Sequence, residues 1–368
     1  MTINDNLFLQ ESPCENKALL WALFLFGICM IKLEKRISKY ILEESTKLIE
    51  RFNQYHNVVH QEYERNRKRL GSNCPPKVIH KPEYWNHDQK FDPFYVKKKR
   101  ESIAKSIAKK LQTHTYKPNK HFPLQVKKPD GSSRTVHIYQ IQDAAISKMY
   151  YDGLLSKNKH RFSSFSYAYR NDRNVHFAIQ DISIDFKDNY RMFVAEFDFS
   201  KFFPSILHTY LKDQFVKNGF NINPNEREII NSFLDGYNNE RGIPQGTSLS
   251  LFLANLACWS LDKQLETLGV KFARYADDTV IWSNDYVRIC QACNIINDFA
   301  KISGVEINPK KSNGVSLITR DKHTHLAEMK QISFITFLGY QLSIDFVSIK
   351  QESVKKSSVK YHLFYINI

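Results

Sequence analysis

KFARYADDTVIWS, residues Lys271–Ser283, is two short β-rich runs on either side of Ala276-Asp277-Asp278. Aspartate tolerates tight turns, so the stretch predicts a β-hairpin with two neighbouring carboxylates at its tip. Adjacent carboxylates repel, and burial raises that cost, so Asp277 and Asp278 require either a cation or open solvent. Taken alone, an exposed acidic turn accounts for the pair. Working outward, RMFVAEFDF (Arg191–Phe199) reads as an apolar strand with Asp198 at its far end. If the two strands adjoin, Asp198 and Asp277 meet. Carboxylate oxygens suit Mg²⁺, with Mn²⁺ as a substitute, and two such ions can stabilise both oxygens of an in-line phosphoryl displacement.

Strand and helix signals alternate through 191–345, which predicts an α+β sheet domain, with a helix over Tyr286–Ala300 after the hairpin. Upstream, residues 18–70 are helical in pattern and end in the basic run Glu64–Arg69 before the breakers Gly71–Pro76. Val96–Leu111 reads as a helix, and Leu124–Ile138 as a hairpin turning at Pro129-Asp130-Gly131.

The 368 residues carry a net charge of +15, which favours a polyanionic partner because each neutralised phosphate releases condensed counterions. Ala18–Ile31 is apolar but 14 residues long, whereas a spanning helix needs about 20. It is expected to be a buried helix, with no membrane partner and no secretory leader. Six scattered cysteines fit a reducing cytoplasm. Cys290 and Cys293 form a lone pair on a predicted helix without the second pair that a zinc site needs.

Several stretches together resemble reverse transcriptases. FDFSKFFPSI (Phe197–Ile206), GIPQGTSLS (Gly242–Ser250) running on to Asn255, YADD (Tyr275–Asp278), GVEINPKKS (Gly304–Ser312) and FLGY (Phe337–Tyr340) follow one another as that family's motifs do. VKKPDGSSR (Val126–Arg134) is similar to its fingers hairpin. FSYAYR (Phe165–Arg170) is similar to a further segment, with Ala168 where glycine is usual. The likeness covers about 96–342 and is of the bacterial, retron and group II intron-like kind. Phe91–Phe94 and the Gly242 motif most resemble the "unknown group" enzymes associated with phage defence.

The resemblance implies an α+β right-hand polymerase with fingers and palm: a helical N-terminal extension over 1–90, fingers over 91–190, a palm over 191–342 and a short or truncated thumb over 343–368. It implies Asp198 and Asp277 as metal ligands, with Asp278 a weaker third. Lys127 and Arg134 would hold the incoming triphosphate, Phe203 would block a ribose 2′-hydroxyl, and Gln245 would contact nucleotide and template. Lys311, with Lys310 as the alternative, would serve the pyrophosphate leaving group. Phe337–Tyr340 would grip the primer, and Asn255 would support the nucleotide pocket. Each also has a plain reading: Phe203 as a core aromatic, Asn255 as an interior amide, the basic residues as solvated faces. The implied partners are an RNA template of structured noncoding type, a DNA product, dNTPs, and a partner protein or second copy. Template-independent or protein-primed synthesis, or an RNA-binding scaffold without catalysis, are the alternatives.

Overall fold

The computed structural model of the chain describes residues 13–127, 131, 133–235, 240–312, 314–320 and 329–351, and the backbone alone over 13–27. The turn expected at Pro129-Asp130 and the thumb remnant beyond 351 lie outside the described residues.

The chain opens with a long helix α1 (Pro13–Leu70) and then α2 (Pro93–Gln112), which starts three residues before the expected Val96. Asp92 caps it, its side chain accepting from Phe94 N, with Pro93 in the first turn where a missing N–H costs nothing. A hairpin follows, β1 (Phe122–Lys127) and β2 (Ser133–Ile138), then α3 (Ile141–Asn158) and α4 (Val175–Lys187). Next come β3 (Arg191–Phe197), β4 (Phe199–Ser200), α5 (Phe202–Ser205), α6 (His208–Lys217), α7 (Pro224–Asp235) and α8 (Ser248–Leu268). The expected hairpin is β5 (Lys271–Tyr275) and β6 (Asp278–Ser283), and α9 (Tyr286–Ser303) follows it. The described part ends with β7 (Glu306–Ile307), β8 (Val315–Thr319), β9 (Ile335–Phe337), β10 (Tyr340–Leu342) and β11 (Val347–Ile349).

β3 lies at the centre of a four-stranded antiparallel sheet ordered β5-β6-β3-β8. Because side chains alternate along a strand, its two faces have different fates. Phe193, Ala195 and Phe197 of β3, with Phe272 and Ile281, turn to the larger core, which also holds α8 and α9 residues such as Leu261 and Ile296. Met192 and Val194, with Val280 and Trp282, turn to a second core closed by α4 and the three-stranded sheet β11-β10-β9. Glu196 and Asp198 share that second face by register.

The expected strand Arg191–Phe199 is interrupted. Asp198 belongs to neither β3 nor β4, and β4 pairs with β7 in a separate ribbon. The physical reason lies in its hydrogen bonds. Asp198 N donates to Ser312 Oγ at 3.3 Å and Asp198 O accepts from Asn308 N at 2.8 Å, so the ladder cannot continue through it.

The apolar N-terminal run falls in α1. Met30 packs partly against the core, while Ile31 is exposed. Among the described residues no helix is long and apolar enough to cross a membrane.

Candidate active site

The register pairs Phe197 with Thr279, so the next step along the ladder sets Asp198 opposite Asp278. Asp278 is within hydrogen-bond reach of Asp198, and Asp277 bears on both as a charged neighbour. The three carboxylates therefore gather at one sheet end, with Asp278 the one against Asp198. Burial first, then the charges of Asp277 and Asp198, push the Asp278 carboxyl up to about 7. Burial also raises Asp277, opposed by its own backbone hydrogen bond.

Asp198 is cradled from the segment after β7. Asn308 Nδ2 donates to Asp198 Oδ2 at 2.8 Å, and Lys311 Nζ stands 3.1 Å from Oδ1. Lys311 is 62% exposed and only this tip reaches inward. Burial works against its charge, but the Asp198 bond and the neighbouring aspartates prevail and its pKa rises. Lys310 instead gives its backbone N–H to Asn308 Oδ1. Asn308 and Ser312 were overlooked in the sequence beside the lysine pair, although the same short stretch contains them.

The hairpin tip is fixed from beneath by a buried ion pair. Arg274 and Asp262 are 1% and 0% exposed, and Arg274 Nε and Nη2 each donate to one Asp262 oxygen at 2.6 Å. Arg274 Nη2 also donates to Ser166 Oγ at 2.8 Å, and Nη1 to the Ala276 carbonyl at 3.1 Å. Ala276 sits at φ 60°, a left-handed conformation that its carbonyl's bond to Arg274 helps to hold. Asn255 is an interior amide here: Nδ2 donates to Ala168 O at 2.8 Å while Oδ1 accepts from Arg274. The Phe165–Arg170 segment adds to β5 through Tyr167 N to Arg274 O and Arg274 N to Phe165 O, both 2.9 Å. The left-handed residue in that segment is Tyr169, not Ala168, so alanine there carries no strain. Arg274 and Asp262 carried no signal that sequence reading could isolate.

The turn before α8 docks on the β1–β2 hairpin. His137 N donates to Gln245 O at 2.9 Å, and a Cβ at Gly246 (φ 120°) would lie 2.1 Å from His137 O. Only glycine fits that approach. Gly242 N donates to Ile206 O and Ile243 N to Phe203 O, both at 2.7 Å, joining the same turn to the segment after β4. Phe203 is half-buried and meets Tyr169 edge-on, ring centroids 6.4 Å apart. Lys127 and Arg134 are both exposed, and pairing Val126 with Arg134 and Lys127 with Ser133 sets them on opposite faces of the ribbon. Phe337 is buried in the second core, and Leu338 and Gly339, both at positive φ, form the tight turn into β10.

An open cleft of about 500 Å³ runs from Asp198, Asp278 and Lys311 to Lys330, Thr336 and Lys350. Its cations suit phosphates. Among the described residues no set of three or more His, Cys, Asp or Glu forms a ready metal cage. Mg²⁺ needs one or two carboxylates and keeps its waters, and the mutual repulsion at Asp198 and Asp278 is of the kind a divalent cation relieves. The residues present therefore fit such an ion.

The family described as reverse transcriptase (RNA-dependent DNA polymerase) matches residues 126–342, over half the chain. The retron Ec86 reverse transcriptase of Escherichia coli is 29% identical over 127 residues, which are 33% of this chain and 37% of that protein. A Candida albicans telomerase, solved with a fragment of telomeric RNA, aligns over 70% of this chain and 49% of its own, at 13% identity and a TM-score of 0.45. An apo telomerase from Candida tropicalis aligns over 80% and 65%, at 11% identity and a TM-score of 0.44.

Proposed function

Because the chain belongs to the reverse transcriptase family, we propose that it is an RNA-directed DNA polymerase with its centre at Asp198, Asp277 and Asp278. Its α+β fold is that of a right-hand polymerase. The observation that carries the proposal is the meeting of Asp198 with Asp278 across the β3–β6 ladder, Asp277 beside them and Lys311 on the Asp198 carboxylate.

In this reading the aspartates would hold Mg²⁺, or Mn²⁺ in its place, which when bound would supply charge neutralisation for a phosphoryl displacement. Asn308 and Lys311 hold the Asp198 carboxylate in place, and in this reading Lys311 also neutralises departing pyrophosphate. Lys127 and Arg134 serve the triphosphate of a dNTP from the β1–β2 hairpin, and because they lie on opposite faces of the ribbon one of them must reach round its edge. Phe203 excludes a ribose 2′-hydroxyl, Gln245 lies against nucleotide and template, and the β9–β10 hairpin grips the primer. Residues 91–190 then act as fingers, 191–342 as palm, and 1–90 as a helical extension. The template is RNA, of structured noncoding type, and α2 offers it the exposed Lys98, Lys99, Lys105, Lys109 and Lys110. The setting is the bacterial cytoplasm, in antiviral defence of the phage-directed kind.

The test is dNTP incorporation on an RNA template with Mg²⁺, wild type against the Asp277→Ala, Asp278→Ala double variant. Incorporation that falls to background in the variant upholds the reading. Equal incorporation by the two removes it.

A further inference from the structure

Tyr169 combines features that the proposed chemistry does not use. It is an aromatic residue at φ 59°, a conformation bulky side chains rarely take. Such strain persists where the surroundings over-determine it, and it concentrates at functional sites. Here the surroundings do so. Tyr151 Oη donates to Tyr169 O at 2.9 Å, Asn255 Nδ2 holds Ala168 O, and Arg170 Nη1 donates to Ser163 O at 2.6 Å. The main chain on both sides is anchored, and the cost of the left-handed residue is spent on where its side chain points.

That side chain touches Phe203 and feels the charge of the acidic hairpin. Its ring meets Phe203 edge-on, and burial first, then Asp277 and Tyr275, push its phenol up to about 12. It stays a neutral donor at every working pH. The ring is half-buried, and among the described residues the hydroxyl makes no hydrogen bond. A phenol held by strain, beside the residue read as guarding the sugar and next to the carboxylates read as holding the triphosphate's metal, has a sugar oxygen as its natural acceptor.

We propose that Tyr169 is a second sugar-selecting residue, its ring bracing Phe203 and its hydroxyl donating to the 3′-hydroxyl oxygen of the incoming deoxynucleoside triphosphate. The inference rests on the polymerase reading above. Phe203 closes the 2′ side and Tyr169 reads the 3′ side, so the pair distinguishes deoxynucleotides from both ribonucleotides and chain terminators.

The experiment uses the full chain with an RNA template and compares dTTP, 2′,3′-dideoxy-TTP and UTP. Wild type, Tyr169→Phe and Tyr169→Ala are measured for kcat and KM. Binding of dTTP and of the dideoxy analogue to enzyme holding a chain-terminated primer is also measured by calorimetry, without turnover. A lost hydrogen bond of ordinary strength predicts that Tyr169→Phe raises KM and Kd for dTTP by roughly 5- to 10-fold. The same variant leaves kcat and the dideoxy values unchanged. Tyr169→Ala frees Phe203 and raises UTP use as well. Parallel changes for dTTP and the dideoxy analogue in Tyr169→Phe, or no change in either, overturn the assignment while leaving the polymerase standing. Tyr169→Phe keeps the ring, so it decides the matter even if Tyr169→Ala fails to fold. A wild type that neither binds nor incorporates any nucleotide removes the polymerase reading and this inference with it.

Discussion

Asp278 faces Asp198 across the β3–β6 ladder, one register step beyond the Phe197–Thr279 pair, close enough for their carboxyl groups to share a proton. Burial, with the charges of Asp277 and Asp198, pushes the Asp278 carboxyl up to about 7 from an ordinary 3.8. The fold thus keeps a proton that the unfolded chain has already lost, and stability falls as pH rises through that window. In the presence of a chelator, Tm is expected to decline between about pH 4 and pH 7, and Asp278→Asn to flatten the slope. Millimolar Mg²⁺ should restore Tm at the alkaline end, because a ligand that binds only the folded state stabilises it. A slope that survives Asp278→Asn would assign the titration elsewhere.

Removing one member of the Arg274–Asp262 pair strands the other without water or counter-charge. Arg274→Ala is expected to lower unfolding stability in urea by about 3–5 kcal/mol. The apolar double replacement Arg274→Met, Asp262→Leu should recover most of that, since it leaves no orphan charge. It does not restore the bond to the Ala276 carbonyl, so incorporation should stay depressed in a stable protein. Full activity in the double variant would show that the guanidinium has no part in aiming the hairpin.

Asn308→Ala removes one of the two contacts that the segment after β7 makes on the Asp198 carboxylate. Groups that orient a metal-binding carboxylate are worth about 10- to 100-fold in affinity or rate. The Mg²⁺ concentration for half-maximal incorporation should rise accordingly, with Tm little changed.

Two glycine replacements should move in opposite directions. Gly246→Ala pushes a methyl into the His137 carbonyl and imposes φ 120° on an L-residue. It is expected to cost about 1–3 kcal/mol and to impair nucleotide use. Gly153 lies inside α3, and a Cβ there meets nothing nearer than Arg36 Nη2 at 3.9 Å. Gly153→Ala should therefore stabilise the chain by roughly 0.5–1 kcal/mol, read by urea midpoint.

The acidic hairpin, the strand leading to Asp198 and α9 were legible because each is a local pattern: β-rich runs around a turn, or apolar spacing on a helix. The helix starts at Pro93, three residues before the expected Val96, because Asp92 caps it and proline is tolerated in the first turn. The break at Asp198 was not legible, since it depends on Asn308 and Ser312, more than a hundred positions away. The Arg274–Asp262 pair was hidden for a related reason. In sequence Arg274 is an unremarkable charge in a short strand, and Asp262 one of several polar residues in a helix. Only the packing of β5 on α8 makes them a buried couple. Tyr169 was in view as part of a motif, but its left-handed backbone arises from the contacts around it.

Asp198 is the single residue between two separately supported ribbons, β3 in the four-stranded sheet and β4 paired with β7. Besides Asp278, its carboxylate oxygens meet Asn308 and Lys311, which both follow β7 on one short stretch of chain. Any displacement of that stretch therefore withdraws both of these contacts at once, while Arg274 still holds the Ala276 carbonyl beneath the acidic tip. The acidic centre has one anchored half and one half that can be unlatched.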